Sequence, residues 1–185
     1  MDRLTVKAQE ALQAAQGEAA QNGQQEIASE HLLAALLDQT EGIITPLLQK
    51  MGANVGAVRQ DLDREIARLP KVGGVVVGEY LSNRLRRTLE IAWQEAQQLK
   101  DEYCSTEHLL LALAAETDTG AGRVLRSHGV TRERLLQALV DVRGSARVTD
   151  PHAEETYQAL EKFGRDLTDA ARRGKLDPVI GRDEE

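Results

Sequence analysis

A chain of 185 residues, 41% apolar and 29% charged, has the length and makeup of one soluble globular domain with room for an appendage. Its 30 acidic against 23 basic side chains leave a net charge of −7, which argues against a nucleic-acid partner, and the densest basic run, Arg84 to Arg87, sits among acids. The single cysteine, Cys104, rules out an internal disulfide and suits a reducing, cytoplasmic setting, and no apolar run approaches the roughly 18 residues of a membrane span.

With aromatics at only 3% and Ala, Leu, Gln, Glu and Arg abundant, helix is the expected structure throughout. Thr5 is placed to cap a first helix running to about Asn22, with Ala8, Ala11, Leu12, Ala15 and Ala19 as its apolar stripe. Ser29 reads as the cap of a second helix, with Leu32, Leu33, Leu36 and Leu37 inward. A short third helix carries Ile43, Ile44, Leu47, Leu48 and Met51, and Gly52 follows where a left-handed residue ends a helix. Asn54 caps a fourth, containing Val58, Leu62, Ile66 and Leu69, which Pro70 closes. Lys71 to Gly78 is a glycine-rich joint, and its valine run Val75 to Val77 is the one stretch that reads as extended.

From Leu81 the plan repeats at an offset of 77 positions. Ser29-Glu30-His31-Leu32-Leu33 returns as Thr106-Glu107-His108-Leu109-Leu110, and Leu12 with Leu89, Ala15 with Ala92 and Gly52 with Gly129 keep the register. Ser82, Thr106 and Thr131 open helices of the second unit. The expectation is an all-α domain of two tandem four-helix repeats, about 4–69 and 81–143, forming a pseudo-two-fold eight-helix body within residues 1–145. An exposed linker, 146–152, then leads to 153–185. That tail has too few large apolar groups to bury a core of its own and reads as the start of a further domain, so the chain is expected to be a piece of a longer protein.

Signals for chemistry are few. No phosphate loop or nucleophile elbow occurs, and the four histidines, His31, His108, His128 and His152, lack metal-ligand spacing. The sequence points to no catalytic residue, no metal and no cofactor in this chain. The repeated Ser/Thr-Glu-His-Leu-Leu word is explained by capping and by a first-turn carboxylate on the helix dipole. Equally, Glu30 and Glu107 at free helix ends would make polar sockets for a polypeptide backbone or a cation, and Thr5 and Asp101 carry the same two readings. On the fifth helix Ile91 lies roughly 120° from the stripe of Leu85, Leu89, Ala92, Ala96 and Leu99, so it is expected on an open face beside the Asp101–Glu107 loop.

The duplicated word, with Leu4-Thr5 opening the first unit, resembles the Clp amino-terminal domain, the repeat pair that precedes the ATPase modules of ClpA-, ClpB- and ClpC-type machines. Ala67-Arg68-Leu69-Pro70-Lys71-Val72 is similar to the ClpB joint. Tyr157 to Thr168, with Gly174 to Glu185, resembles the start of the first ClpB AAA+ module. The resemblance implies a module that captures unfolded or aggregated polypeptide for threading by an ATP- and magnesium-dependent homohexameric disaggregase working with the DnaK chaperone system. It implies substrate contacts at Thr5, Asp101 and Glu107 and an apolar patch at Ile91, with polar Glu95 and His108 at two further patch positions. In ClpC-type domains the glutamates at 30 and 107 recognise phosphorylated arginine, so adaptor or phosphoarginine docking for a protease is the rival reading. A small hydrolase and a plain spacer rank below it. Taken alone the chain is expected to be a monomer without nucleotide turnover.

Overall fold

The computed structural model describes residues 3–76, 78–144 and 146–155. Eight helices are assigned among them: α1 (Val6–Gln21), α2 (Ser29–Asp38), α3 (Ile44–Lys50), α4 (Val55–Ala67), α5 (Asn83–Gln98), α6 (Thr106–Ala115), α7 (Gly120–Ser127) and α8 (Arg132–Arg143). Four of the expected caps bond as such, Thr5 to Ala8 N, Asn54 to Ala57 N, Ser82 to Leu85 N and Thr131 to Arg134 N. The all-α reading of two four-helix units holds.

Within each unit the first helix packs on the second, α1 on α2 and α5 on α6. Ala8, Ala11, Ala15 and Ala19 are all fully buried, and a stripe without long side chains lets α1 lie close on its partner. All the leucines of α2 and α6 are buried in the core, each contributing about 1.5–3 kcal/mol of burial. Between units, α4 meets α7, α3 meets α8, and α2 meets α6.

Two short parallel pairings lock the units together. Strand β1 (Glu26–Ile27) pairs with β2 (Tyr80–Leu81), and Leu4 bridges to Cys104. At the repeat offset Leu4 corresponds to Leu81 and Cys104 to Ile27, so the two pairings are one contact made twice. Each unit's lead-in segment is held by the other unit, which is the pseudo-two-fold relation in backbone terms. The extended segment therefore differs from the expected valine run: Val75 is 87% exposed and outside both strands. A two-residue strand is too short to leave an alternating pattern in the sequence.

The cap register differs as well. Ser29 and Thr106 are the first helical residues, and Ala28 and Ser105 are the N-caps. The outward N–H groups of Ala28 and Ser105 are satisfied from within the helix, by Nδ1 of His31 at 2.8 Å and of His108 at 2.9 Å. The histidine of the repeated word is thus part of the helix start.

Within the stretch expected as an exposed linker, 146–152, Arg147, Thr149, Asp150 and His152 are exposed but Val148 is fully buried, and just beyond it Ala153 and Glu154 are nearly so. Most of the expected AAA+ lead-in, 156–185, lies outside the described residues.

Candidate functional site

The site forms where the chain enters α1 and α6. Thr5 N donates to Cys104 O at 3.0 Å and Cys104 N to Arg3 O at 2.7 Å, which sets the Thr5 hydroxyl beside the α6 N-terminus. Into that corner comes the carboxylate of Glu154, whose Oε2 accepts from Thr5 Oγ1 at 2.6 Å and from Thr106 N at 3.0 Å. An acceptor at an N-terminal amide is where the helix partial charge favours it. Burial, then the neighbouring Glu107 charge, push the Glu154 carboxyl above its usual range despite those two bonds.

Beneath lies a buried ionic network. His108 Nδ1 accepts from Ser105 N, so its proton is on Nε2, which donates to Asp101 Oδ2 at 2.7 Å. Asp101 Oδ1 accepts from Arg143 at 2.6 Å and from Val148 N at 2.9 Å. Burial pushes the Asp101 carboxyl up, but the bonds from His108, Arg143 and Val148 outweigh it and hold it below its ordinary value. Glu107 accepts from the Ser105 hydroxyl, and Arg143 reaches its second oxygen at 3.4 Å. Cys104, just before α6, is fully buried, and its thiol is pushed up to about 12, by burial first and then by the charges of Glu107 and Glu154, so it stays protonated at neutral pH.

The structure thus brings Thr5, Asp101 and Glu107 together, all buried, around Glu154 and Arg143. Glu30 occupies the equivalent place in the first unit, where its Oε2 accepts from Ala121 N at 2.9 Å. There the corner is an open cleft of about 420 Å³ lined by Ser29, Glu30, Ser82, Arg84 and Gly120 among others. Ile91 is half-buried and packed against the core, not on an open face. The reason is that α5 buries polar Thr88 and Glu95 beside its apolar stripe, which widens the buried face to within about 40° of Ile91. Glu95 is held there by Arg132, at 2.6 and 2.8 Å. Reading the sequence missed Arg143, Val148 and Glu154. A search for a partner to the buried acids would have reached Arg143, whereas 146–154 has no apolar period to betray its burial. Among the described residues no cluster of His, Cys, Asp and Glu is arranged to hold a metal ion, and no helix is long and apolar enough to cross a membrane.

A duplicated four-helix unit with exchanged lead-in segments and a polar corner at each α2/α6-type N-terminus defines a class of helical repeat module. The Clp repeat (R) N-terminal domain model matches residues 3–128, and the chain belongs to that family. It is 49% identical over its whole length to the chaperone protein ClpB of Rhodopirellula baltica, of which it spans 21%. In fold it is similar to the Hsp104 N-terminal domain from Candida albicans, with a TM-score of 0.73 at 21% identity, over 83% of this chain and 99% of that one. It also resembles a ClpV N-domain solved in complex with a VipB peptide, with a TM-score of 0.61 at 20% identity over 80% of this chain and 91% of that one.

Proposed function

We propose that this chain is the polypeptide-capturing amino-terminal domain of a ClpB-type disaggregase, which delivers unfolded or aggregated protein to a threading hexamer. The observation that carries the reading is the corner at Thr5, Asp101 and Glu107, which already holds a segment of the chain's own polypeptide, Val148 to Glu154, by backbone and side-chain bonds. Likeness to ClpB over the whole chain supports it, as does the peptide on the ClpV N-domain. The ATP and magnesium chemistry, the homohexamer, the DnaK partnership and a cytoplasmic setting belong to the full-length protein, and this chain binds without catalysing. Phosphoarginine docking at Glu107 ranks second, because Arg143 already presents a guanidinium to that carboxylate and would have to yield.

The test is an NMR titration of the chain with reduced, carboxymethylated lactalbumin, a polypeptide that cannot refold. Shifts gathered at residues 4–6, 101–107 and 148–154 are expected. An absence of shifts at concentrations well above micromolar, or shifts confined to other surfaces, would overturn the reading. Alanine variants are poor first probes: Asp101→Ala leaves the Arg143 guanidinium, with a side chain only 5% exposed, buried without its main partner, at a cost of about 3–5 kcal/mol in stability. A urea melt of that variant checks the loss.

A further inference from the structure

We infer that residues 148–154 are a self-ligand, a strap of the chain's own polypeptide seated in the groove at Thr5 and Glu107, which an incoming segment must displace. This rests on the capture reading above and adds to it what holds the groove at rest and what chemistry the groove accepts.

Five bonds seat the strap. Val148 N donates to Asp101 and Val148 O accepts from Glu102 N at 2.8 Å. Pro151 O accepts from Val6 N at 2.9 Å, and Glu154 takes the Thr5 hydroxyl and the Thr106 amide. Only Glu154 contributes a side chain to these bonds; the rest come from the backbone of Val148 and Pro151, groups that any polypeptide offers, so the seat reads shape more than sequence. The side chains it does select are a small apolar group where Val148 is fully buried and an acceptor six residues on, at Glu154.

The seat is imperfect in a way that suits exchange. Oε1 of Glu154 and Oγ1 of Thr106 are buried without a hydrogen-bond partner among the described residues, and the Glu154 carboxylate sits near the acid Glu107. Each feature weakens the docked state relative to the released one. The first unit gives an independent sign that the fold does not need the strap. At the repeat offset Thr5, Thr106 and Glu107 correspond to Ser82, Ser29 and Glu30, and those residues line an open cleft. The joint that follows α4 in that unit, at Lys71 to Val75, is exposed. The same architecture stands there without a strap, the Glu30 carboxylate being met by the Ala121 amide of α7 instead.

Displacement has a mechanical result. Residues 146–155 connect the domain to whatever follows, and ten residues freed from the surface span at most about 35 Å. Capture would therefore lengthen the tether of the domain that made it.

The experiment compares the parent chain with Val148→Asp, which sets a second carboxylate against Asp101, and with Glu154→Ala. Retained helical circular dichroism and unchanged amide exchange in α1 to α8 control for folding. If the strap is released a tenth of the time, loosening it raises the affinity for reduced, carboxymethylated lactalbumin by about tenfold. In the parent, the Val148 amide should exchange slowly, and rapidly once lactalbumin saturates the chain. Lactalbumin bound by the parent with Val148 protection intact, or bound no better by either variant, overturns the strap and leaves capture standing. Lactalbumin bound by neither the parent nor the loosened variants overturns both.

Discussion

Gln24 and Asp101 occupy equivalent places in the two units, and each receives the Nε2 proton of the histidine seven residues on, His31 at 2.6 Å and His108 at 2.7 Å. Gln24 is neutral and passes its amide to Ile66 O at 2.6 Å, whereas Asp101 takes the guanidinium of Arg143, the residue equivalent to Ile66. Burial with no carboxylate to offset it pulls the His31 imidazole from 6.5 to about 4. A histidine whose folded value is lowered binds its proton more tightly when unfolded. Stability is therefore intact above pH 6.5 and falls as the pH drops toward 4, by about 3 kcal/mol from this group. Urea midpoints between pH 7 and 4 should fall accordingly. Gln24→Glu, which copies the second unit's carboxylate, should move the His31 titration upward in an imidazole NMR series, and an unmoved titration would refute the account. The same equivalence exposes Lys100, at φ 60°, standing where the first unit has Gly23 at φ 68°. A side chain is strained in that left-handed backbone, so Lys100→Gly should gain about 0.5–1 kcal/mol in a thermal or urea melt.

Among the elements, α7 shows a steric requirement that helix propensity does not disclose. Thr119 caps it by accepting from Gly122 N at 2.9 Å, and that turn is so tight that a Cβ on Gly122 would lie 1.9 Å from Glu116 O. The offending atom is backbone and cannot swing aside. Gly122→Ala should cost about 3 kcal/mol or more, although alanine is the better helix former, and a melting temperature equal to the parent's would contradict this. Its counterpart in the first unit is Thr45, so the need is local to α7 and not a property of the repeat. The eight helices themselves were legible because amphipathic spacing and turn residues mark long elements well. The caps of α2 and α6 were read one residue late, since Ser29 and Thr106 have the chemistry of a cap while His31 and His108 satisfy the preceding amide. The two-residue strands left no pattern at all. For the site, helix-end chemistry marks Thr5, Asp101 and Glu107 as either caps or a polar socket, and only the family resemblance chooses the socket. The strap over them was invisible because Arg147, Thr149, Asp150 and Pro151 look like any solvated connection.

For the molecule as a whole, the exchanged lead-ins decide what counts as a folding unit. Leu4 is held by Cys104 of the second repeat and Leu81 by Ile27 of the first. Around them α4 packs on α7 and α3 on α8, and His128 meets Asp61 at 2.6 Å, Arg123 meets Glu65 at 3.3 Å and Arg134 meets Met51 O at 2.9 Å, all across the unit boundary. The buried core runs without a break through both repeats. A lone first repeat, cut at the joint after Val76, would expose the faces of α2, α3 and α4 that the second repeat covers and leave its lead-in segment unpaired. Small single cores are marginal even when complete, and this one would be open on one side. The expectation is that residues 1–76 alone show reduced helicity and no cooperative melt. The whole chain should unfold in one transition, with calorimetric and van't Hoff enthalpies in agreement. A fragment that melted cooperatively near the temperature of the intact chain would make the repeats independent domains, and the paired lead-ins a contact between finished units instead of a condition of folding.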